Sequence, residues 1–292
     1  MQDLGHRLYR AMKDGDESTV AQILECATPD ELGAAAEASI ARPLHAAVLC
    51  ERLDFLDAVL AAGAPVNAVE TNPRTSVFML AALEVAYWLD REDMASRLLH
   101  HGAEERFATC VFRRDLTAVR SGLKGAPSLV QSAFLRPTYT LLHVAADLGS
   151  APLVAEFVKR GVNPNQPDAD GHAPLRLACR NEPALEALDA LLDAGADVNH
   201  ASKTGITALT AAVRHADGLP TVKRLLERGA DPDLAMRDGT TPLMKAASNR
   251  LAEAVRLLLD AGATRTMTNR KGQTALDMAV RRKADACVAL LE

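Results

Sequence analysis

Glycine recurs in this chain in two interleaved registers, and that recurrence limits the fold more than any other feature. Gly171, Gly205, Gly239 and Gly272 lie 34, 34 and 33 residues apart, and Gly161, Gly195, Gly229 and Gly262 keep the same spacing. A period of that size holds one helix–turn–helix unit and is too short for an independent core. Each unit must therefore bury its apolar face against the next, and the product is a stack. Asp168–Asn199 reads as one complete unit. Asp170-Gly171 makes a turn, Ala173-Pro174-Leu175 opens a first helix, and Leu188, Leu191 and Leu192 line a second that stops at Gly195.

The unit recurs with recognisable chemistry. Thr140, Thr207, Thr241 and Thr274 stand where a helix N-cap is needed, since a hydroxyl there accepts an orphan backbone N–H. Pro43, Pro174 and Pro242 occupy the first helical position, where the missing N–H costs nothing. Alanine pairs such as Ala46-Ala47, Ala145-Ala146 and Ala246-Ala247 allow close approach of neighbouring first helices. The segments Pro43-Leu44-His45-Ala46-Ala47 and Thr140-Leu141-Leu142-His143-Val144-Ala145-Ala146 carry the T-P-L-H-like helix start. Together with the period near 33 they resemble the ankyrin-repeat family over almost the whole chain. The resemblance implies an all-α solenoid of about eight to nine helix–turn–helix units with hairpin loops. It also implies structural roles for His45 and His143, each bonding loop backbone between units.

On this pattern the chain is one array. Residues 1–40 form an N-terminal cap, and residues 41–104 are regular apart from an insertion placed near 85–89, as an extra helical turn carrying Tyr87 and Trp88. Residues 105–137 are a degenerate unit without the helix-start motif and with Gly122 inside a helix, a residue that costs about 1 kcal/mol relative to Ala. Residues 138–273 are regular again and 274–292 are a C-terminal cap. The degenerate unit is the expected weak point of the array.

Aromatic residues are 3% of the chain, and Ala and Leu supply the apolar content that thin helical layers need. Net charge is −5 overall. Residues 1–150 carry 14 Lys/Arg against 20 Asp/Glu, and residues 151–292 carry 19 against 18, so the two halves differ in charge. The five widely spaced cysteines fit reduced thiols in a cytoplasmic protein, and secretion as an effector stays open. No h-region opens the chain and no apolar run spans a membrane. Arg outnumbers Lys about threefold, a bias pointing to a GC-rich bacterial genome.

Little in the sequence carries catalytic or ligand chemistry. Neither His45 nor His143 has a Cys or carboxylate at metal spacing, and His100-His101 closes a second helix, where a favourable dipole interaction explains it. The glycines come singly and form no phosphate cradle. Asp168-Ala169-Asp170-Gly171 lacks the remaining ligands of a calcium loop. No enzyme activity, cofactor or metal is expected. Arg270-Lys271 and Arg281-Arg282-Lys283 are the basic concentration, without the aromatics that nucleic-acid stacking uses.

The family's free positions flank the turn glycine and follow the alanine pair. Carried onto this chain, they nominate Glu84, Tyr87, Trp88, Asp147, Arg180, Asn181, Arg214, Arg237, Arg270 and Arg281 as partner-binding residues. Tyr, Trp and Arg dominate binding energy at interfaces. The expectation is a monomeric, non-catalytic module that binds a protein partner through the concave groove and hairpin tips, with neither nucleic acid nor membrane involved. The alternatives are a bacterial effector or immunity-type protein directed at one enzyme, or a small-molecule or catalytic site in the degenerate unit.

Overall fold

The computed structural model describes residues 4–28, 31–32, 42–69, 80–128, 138–179, 185–214 and 216–292. Among these residues the protein is helical. No strand forms, and one isolated antiparallel bridge joins Val69 to Ala81. The chain divides into two compact units near residue 128.

Unit 1 contains α1 (Leu4–Asp14), α2 (Glu17–Cys26), α3 (Pro43–Leu49), α4 (Leu53–Ala61), α5 (Ala82–Trp88), α6 (Glu92–His100), α7 (Phe107–Phe112) and α8 (Leu116–Gly125). Helices α1, α3, α5 and α7 form one packed row, and α2, α4 and α6 form a second. Unit 2 contains α9 (Leu141–Asp147), α10 (Ala151–Lys159), α11 (Pro174–Ala178), α12 (Leu185–Asp193), α13 (Ala208–Ala212), α14 (Leu219–Glu227), α15 (Pro242–Ser248), α16 (Ala252–Asp260), α17 (Ala275–Arg281) and α18 (Asp285–Leu291). Its odd-numbered helices pack in one row and its even-numbered helices in another. In both units the core is the layer between the rows. Leu56, Leu98, Leu142, Phe157, Leu191 and Leu258 are fully buried there, each burial contributing about 1.5–3 kcal/mol before the entropy cost.

Three of the four threonines expected to cap first helices do so through their hydroxyls, and the hydroxyl of the fourth, Thr140, meets His143 Nδ1 at 2.9 Å instead. Thr207, Thr241 and Thr274 accept the backbone N–H of Thr210, Met244 and Asp277 through their hydroxyls, and Thr140 is the N-cap of α9. Pro43, Pro174 and Pro242 open α3, α11 and α15. In seven of the pairs the turn uses a left-handed residue, supplied by Gly15 and Gly149 but also by Glu51, Asp90, Arg114, Arg250 and Lys283.

Two expectations about unit 1 need correction. The added residues do not extend a helix near 85–89, because α5 has 7 residues, as do α3 and α9. From Gly63 to the start of α5 is 19 residues, against 13 from Gly161 to α11 and from Gly195 to α13. The whole insertion therefore lies in the connection before α5, where the Val69–Ala81 bridge closes it; residues 70–79 within it lie outside the described residues. Tyr87 and Trp88 consequently sit at ordinary repeat positions, the last two of a first helix. Gly122 is also more than a weak helix former. A Cβ there would meet the Phe107 ring at 2.8 Å, so its absence lets α7 pack onto α8. The connection from Gly102 to α7 is only 5 residues long, so this repeat lacks the long loop found elsewhere.

Candidate partner-binding surface

Many polar side chains of the repeat are consumed in holding repeats together. In α9, His143 Nδ1 accepts the backbone N–H of Thr140 at 3.0 Å, which leaves Nε2 as the donor to the carbonyl of His172, one repeat on, at 3.2 Å. His45 Nε2 meets the Leu80 carbonyl at 2.8 Å in the same way. Burial pushes the His143 pKa below its ordinary value, with the hydrogen bond to His172 opposing that shift. Both histidines thus have the structural role the resemblance implied.

Sequence reasoning missed a second interlock. Asn67, Asn165 and Asn199 each stand four residues after a helix-ending glycine. Each donates to the matching glycine carbonyl of the next repeat, at 3.3, 2.9 and 3.3 Å. Their Oδ1 atoms accept the N–H of Glu104, Asp197 and Asp231. Asp233 takes the same place toward Thr264. The signal was in the sequence, as an amide or carboxylate recurring at a constant offset from glycine.

Glu84 belongs to this structural set, which corrects its nomination as a groove-facing residue. It is the third residue of α5, the position of His45 and His143 in their helices, and its side chain is 1% exposed. Its Oε2 accepts the Ala81 N–H at 2.7 Å. Its two oxygens receive Arg106 Nε at 2.8 Å and Arg106 Nη2, and Thr109 Oγ1 lies 3.4 Å from Oε1. Arg106 is the N-cap of α7, so Glu84 performs both tasks of His143 with a carboxylate. Placing the extra residues near 85–89 instead of before α5 shifts the register of this repeat and puts Glu84 on the wrong face.

In unit 1, Tyr87 and Trp88 are half-buried at the end of α5. The Arg113 guanidinium lies 5.5 Å from the Tyr87 ring centroid and also pairs with Glu105. Tyr87 is therefore fastened to the next repeat, and burial pushes its phenol pKa up.

In unit 2 the structure places Asp147, Arg214 and Arg281 at one register position, the end of first helices α9, α13 and α17. Asp147 is half-buried; Arg214 and Arg281 are exposed. Arg180 and Asn181, which follow α11, lie outside the described residues. Arg237 and Arg270 are exposed at hairpin tips, each two residues before a turn glycine.

Those tips are bonded to one another. The N–H of Lys203, Arg237 and Arg270 donates to the carbonyls of Asp170, Thr204 and Asp238 at 3.1, 3.0 and 2.9 Å. Gly205 adopts φ +82, and a Cβ there would meet Arg237 N at 2.8 Å. Glycine is thus required twice, by backbone sign and by the close approach of the next tip. Asp168, Asp170 and His172 bring ligand atoms within 4.8 Å of one another. Asp168 Oδ1 accepts the N–H of Asp170 and His172, so this carboxylate builds the hairpin turn.

No helix among the described residues is long and apolar enough to cross a membrane. No curated protein matches the sequence. The family model for ankyrin repeats matches three overlapping stretches, residues 116–202, 141–235 and 209–292, which together cover more than half of the chain. With paired helices stacked in register, bonded hairpin tips and histidine interlocks already in place, the conclusion is that this chain belongs to the ankyrin-repeat family.

Proposed function

We propose that the protein is a non-catalytic binding module that engages a protein partner through the hairpin tips and first-helix ends. Ankyrin repeats are generally protein–protein interaction modules. One observation carries the reading for this chain. The histidine, asparagine and third-position side chains at recurrent positions are spent on interlocks, whereas Arg214, Arg237, Arg270 and Arg281 project into solvent from the two family binding positions. Trp88 and Tyr87 offer an aromatic counterpart in unit 1.

The reading extends to compartment and assembly. The five cysteines are free thiols, which supports a reducing, cytoplasmic setting. Among the described residues the exposed large apolar side chains are Leu99 and Val280, one in each unit; so sparse an apolar surface there supports a monomer.

Site-specific photo-cross-linking tests the assignment. A cross-linker at Arg214 or Arg237 should yield a discrete partner adduct in source lysate, and one at Arg256 or Glu227, on second helices, should not. In unit 1, Trp88→Ala should weaken partner binding by about 2 kcal/mol if Trp88 is a hot spot. Equal adducts from both faces would remove the groove from consideration.

A further inference from the structure

The two families of arginine in unit 2 are treated differently. On second helices, Arg224 and Arg228 pair with Asp189 of the preceding repeat, and Arg228 also reaches Asp193 at 2.5 Å. On the tip side, Arg214, Arg237, Arg270 and Arg281 are exposed and form no ion pair among the described residues. Lys203, at the equivalent tip position, spends its ammonium only on the Ala169 carbonyl at 2.8 Å. Lys203, Arg237 and Arg270 share one register position on three tips joined by backbone hydrogen bonds, so their charges form a row with one cation per repeat. Arg214 and Arg281 set a second row at the ends of α13 and α17. The backbone carbonyls of Asp170 and Asp238 accept the N–H of Lys203 and Arg270, so each of these carboxylate residues stands beside a cation of the row.

Resting on the binding role proposed above, we propose that this face docks an extended acidic protein segment bearing a carboxylate at every third residue. The argument is a match of periods. Packed helices stand about 8–10 Å apart, so the tip cations recur at about that interval. A polyproline-II chain advances ~3.1 Å per residue, or about 9 Å in three. Carboxylates at i, i+3 and i+6 therefore meet successive tips, and each forms a charge-assisted hydrogen bond with one guanidinium or ammonium. The same spacing disfavours nucleic acid. Duplex DNA presents one charge per ~1.7 Å of axis, far denser than this row, and Asp170 and Asp238 interrupt it. Residues 185–292 also contain no aromatic on which a base could stack.

The test uses the full chain and fluorescence anisotropy at two salt concentrations. The probes are a labelled peptide of Glu-Pro-Ala triplets, a peptide of equal composition with its glutamates in one block, a version with glutamates at every seventh residue, and a single-stranded oligonucleotide of similar charge. The triplet peptide should bind at least tenfold tighter than the block peptide and weaken as salt rises. Arg237→Gln combined with Arg270→Gln should cost about tenfold in affinity without shifting the melting temperature, while Arg256→Gln should cost nothing. Equal binding of triplet and block peptides, preference for the seventh-residue peptide, or tighter binding of the oligonucleotide would each overturn the proposal. Failure of all peptides would also overturn it, yet leave the groove assignment standing, because the cross-linking at Arg214 and Arg237 reads that separately.

Discussion

The joint between α5 and α7 in unit 1 and the joint between α9 and α11 in unit 2 connect neighbouring first helices across very different loops. In unit 2 a 13-residue connection leads from Gly161 to α11, and His143 reaches a backbone carbonyl of that loop. In unit 1 α7 starts only 5 residues after Gly102, and a carboxylate–guanidinium pair bridges instead. One helical position serves both. Its residue accepts the N-cap N–H whether it is His143, Glu84, Thr210 or Asp277, and only the longer side chains His and Glu also reach the next repeat. The repeat thus fixes a task at each position more tightly than a residue type. Where the loop shortens, the link changes from neutral to ionic and becomes more costly to break.

The largest effect should come from that ionic joint. Arg106→Ala leaves the buried Glu84 carboxylate without its cation, and because Arg106 is itself partly exposed the cost should fall at the low end of the roughly 3–5 kcal/mol of a buried pair. The loss should appear as earlier unfolding of unit 1, read by hydrogen exchange across α5 to α8, with unit 2 unmoved. If α5 to α8 kept their protection, the joint would not depend on the pair.

In unit 2 the corresponding break is steric. Gly205→Ala meets both a positive φ and the backbone of the next tip, and should cost roughly 2–4 kcal/mol. Gly272→Ala keeps φ +71 but has nothing within 4 Å of its Cβ, so about 1–2 kcal/mol is expected. Equal melting temperatures for the two variants would show that tip contact adds nothing to conformational strain.

Gly122→Ala sharpens the account of the short repeat. Helix propensity alone favours Ala by about 1 kcal/mol, but the Phe107 ring stands where the methyl would go, and overpacking costs about 1–3 kcal/mol. Chemical denaturation should find the variant no more stable than the parent. A clear gain would mean that α7 is free to move away.

The smallest effect separates the two joints by pH. Burial lowers the pKa of His143 below 6.5, so the unfolded chain takes up the proton first. Stability from this group is complete above about pH 6.5 and is lost as pH falls through the lower folded value. Unit 2 should therefore weaken on acidification across that window, and His143→Gln should flatten the dependence. An unchanged slope in that variant would place the titration elsewhere.

Much of the fold was legible in the chain because a repeat states its rules many times. The glycine periods, the threonine caps, the first-position prolines and the two interlocking histidines follow from local backbone requirements, and each requirement leaves a residue at a constant offset. Register failed where the period broke. The six extra residues before α5 carry no local mark to place them, so the sequence puts the insertion near 85–89 and Glu84 at a partner-binding position. Only packing decided that Glu84 lies inside, because its partner Arg106 is 22 residues away and pairs with it only once α7 docks on α5. Likewise, Gly122 reads as a weak helix residue until the Phe107 ring occupies the space above it. Sequence determined the period, the caps and the helical class, which are local properties of the backbone. Tertiary structure decided which polar side chains are spent within the stack and which arginines remain exposed, because that depends on what each residue meets one repeat away.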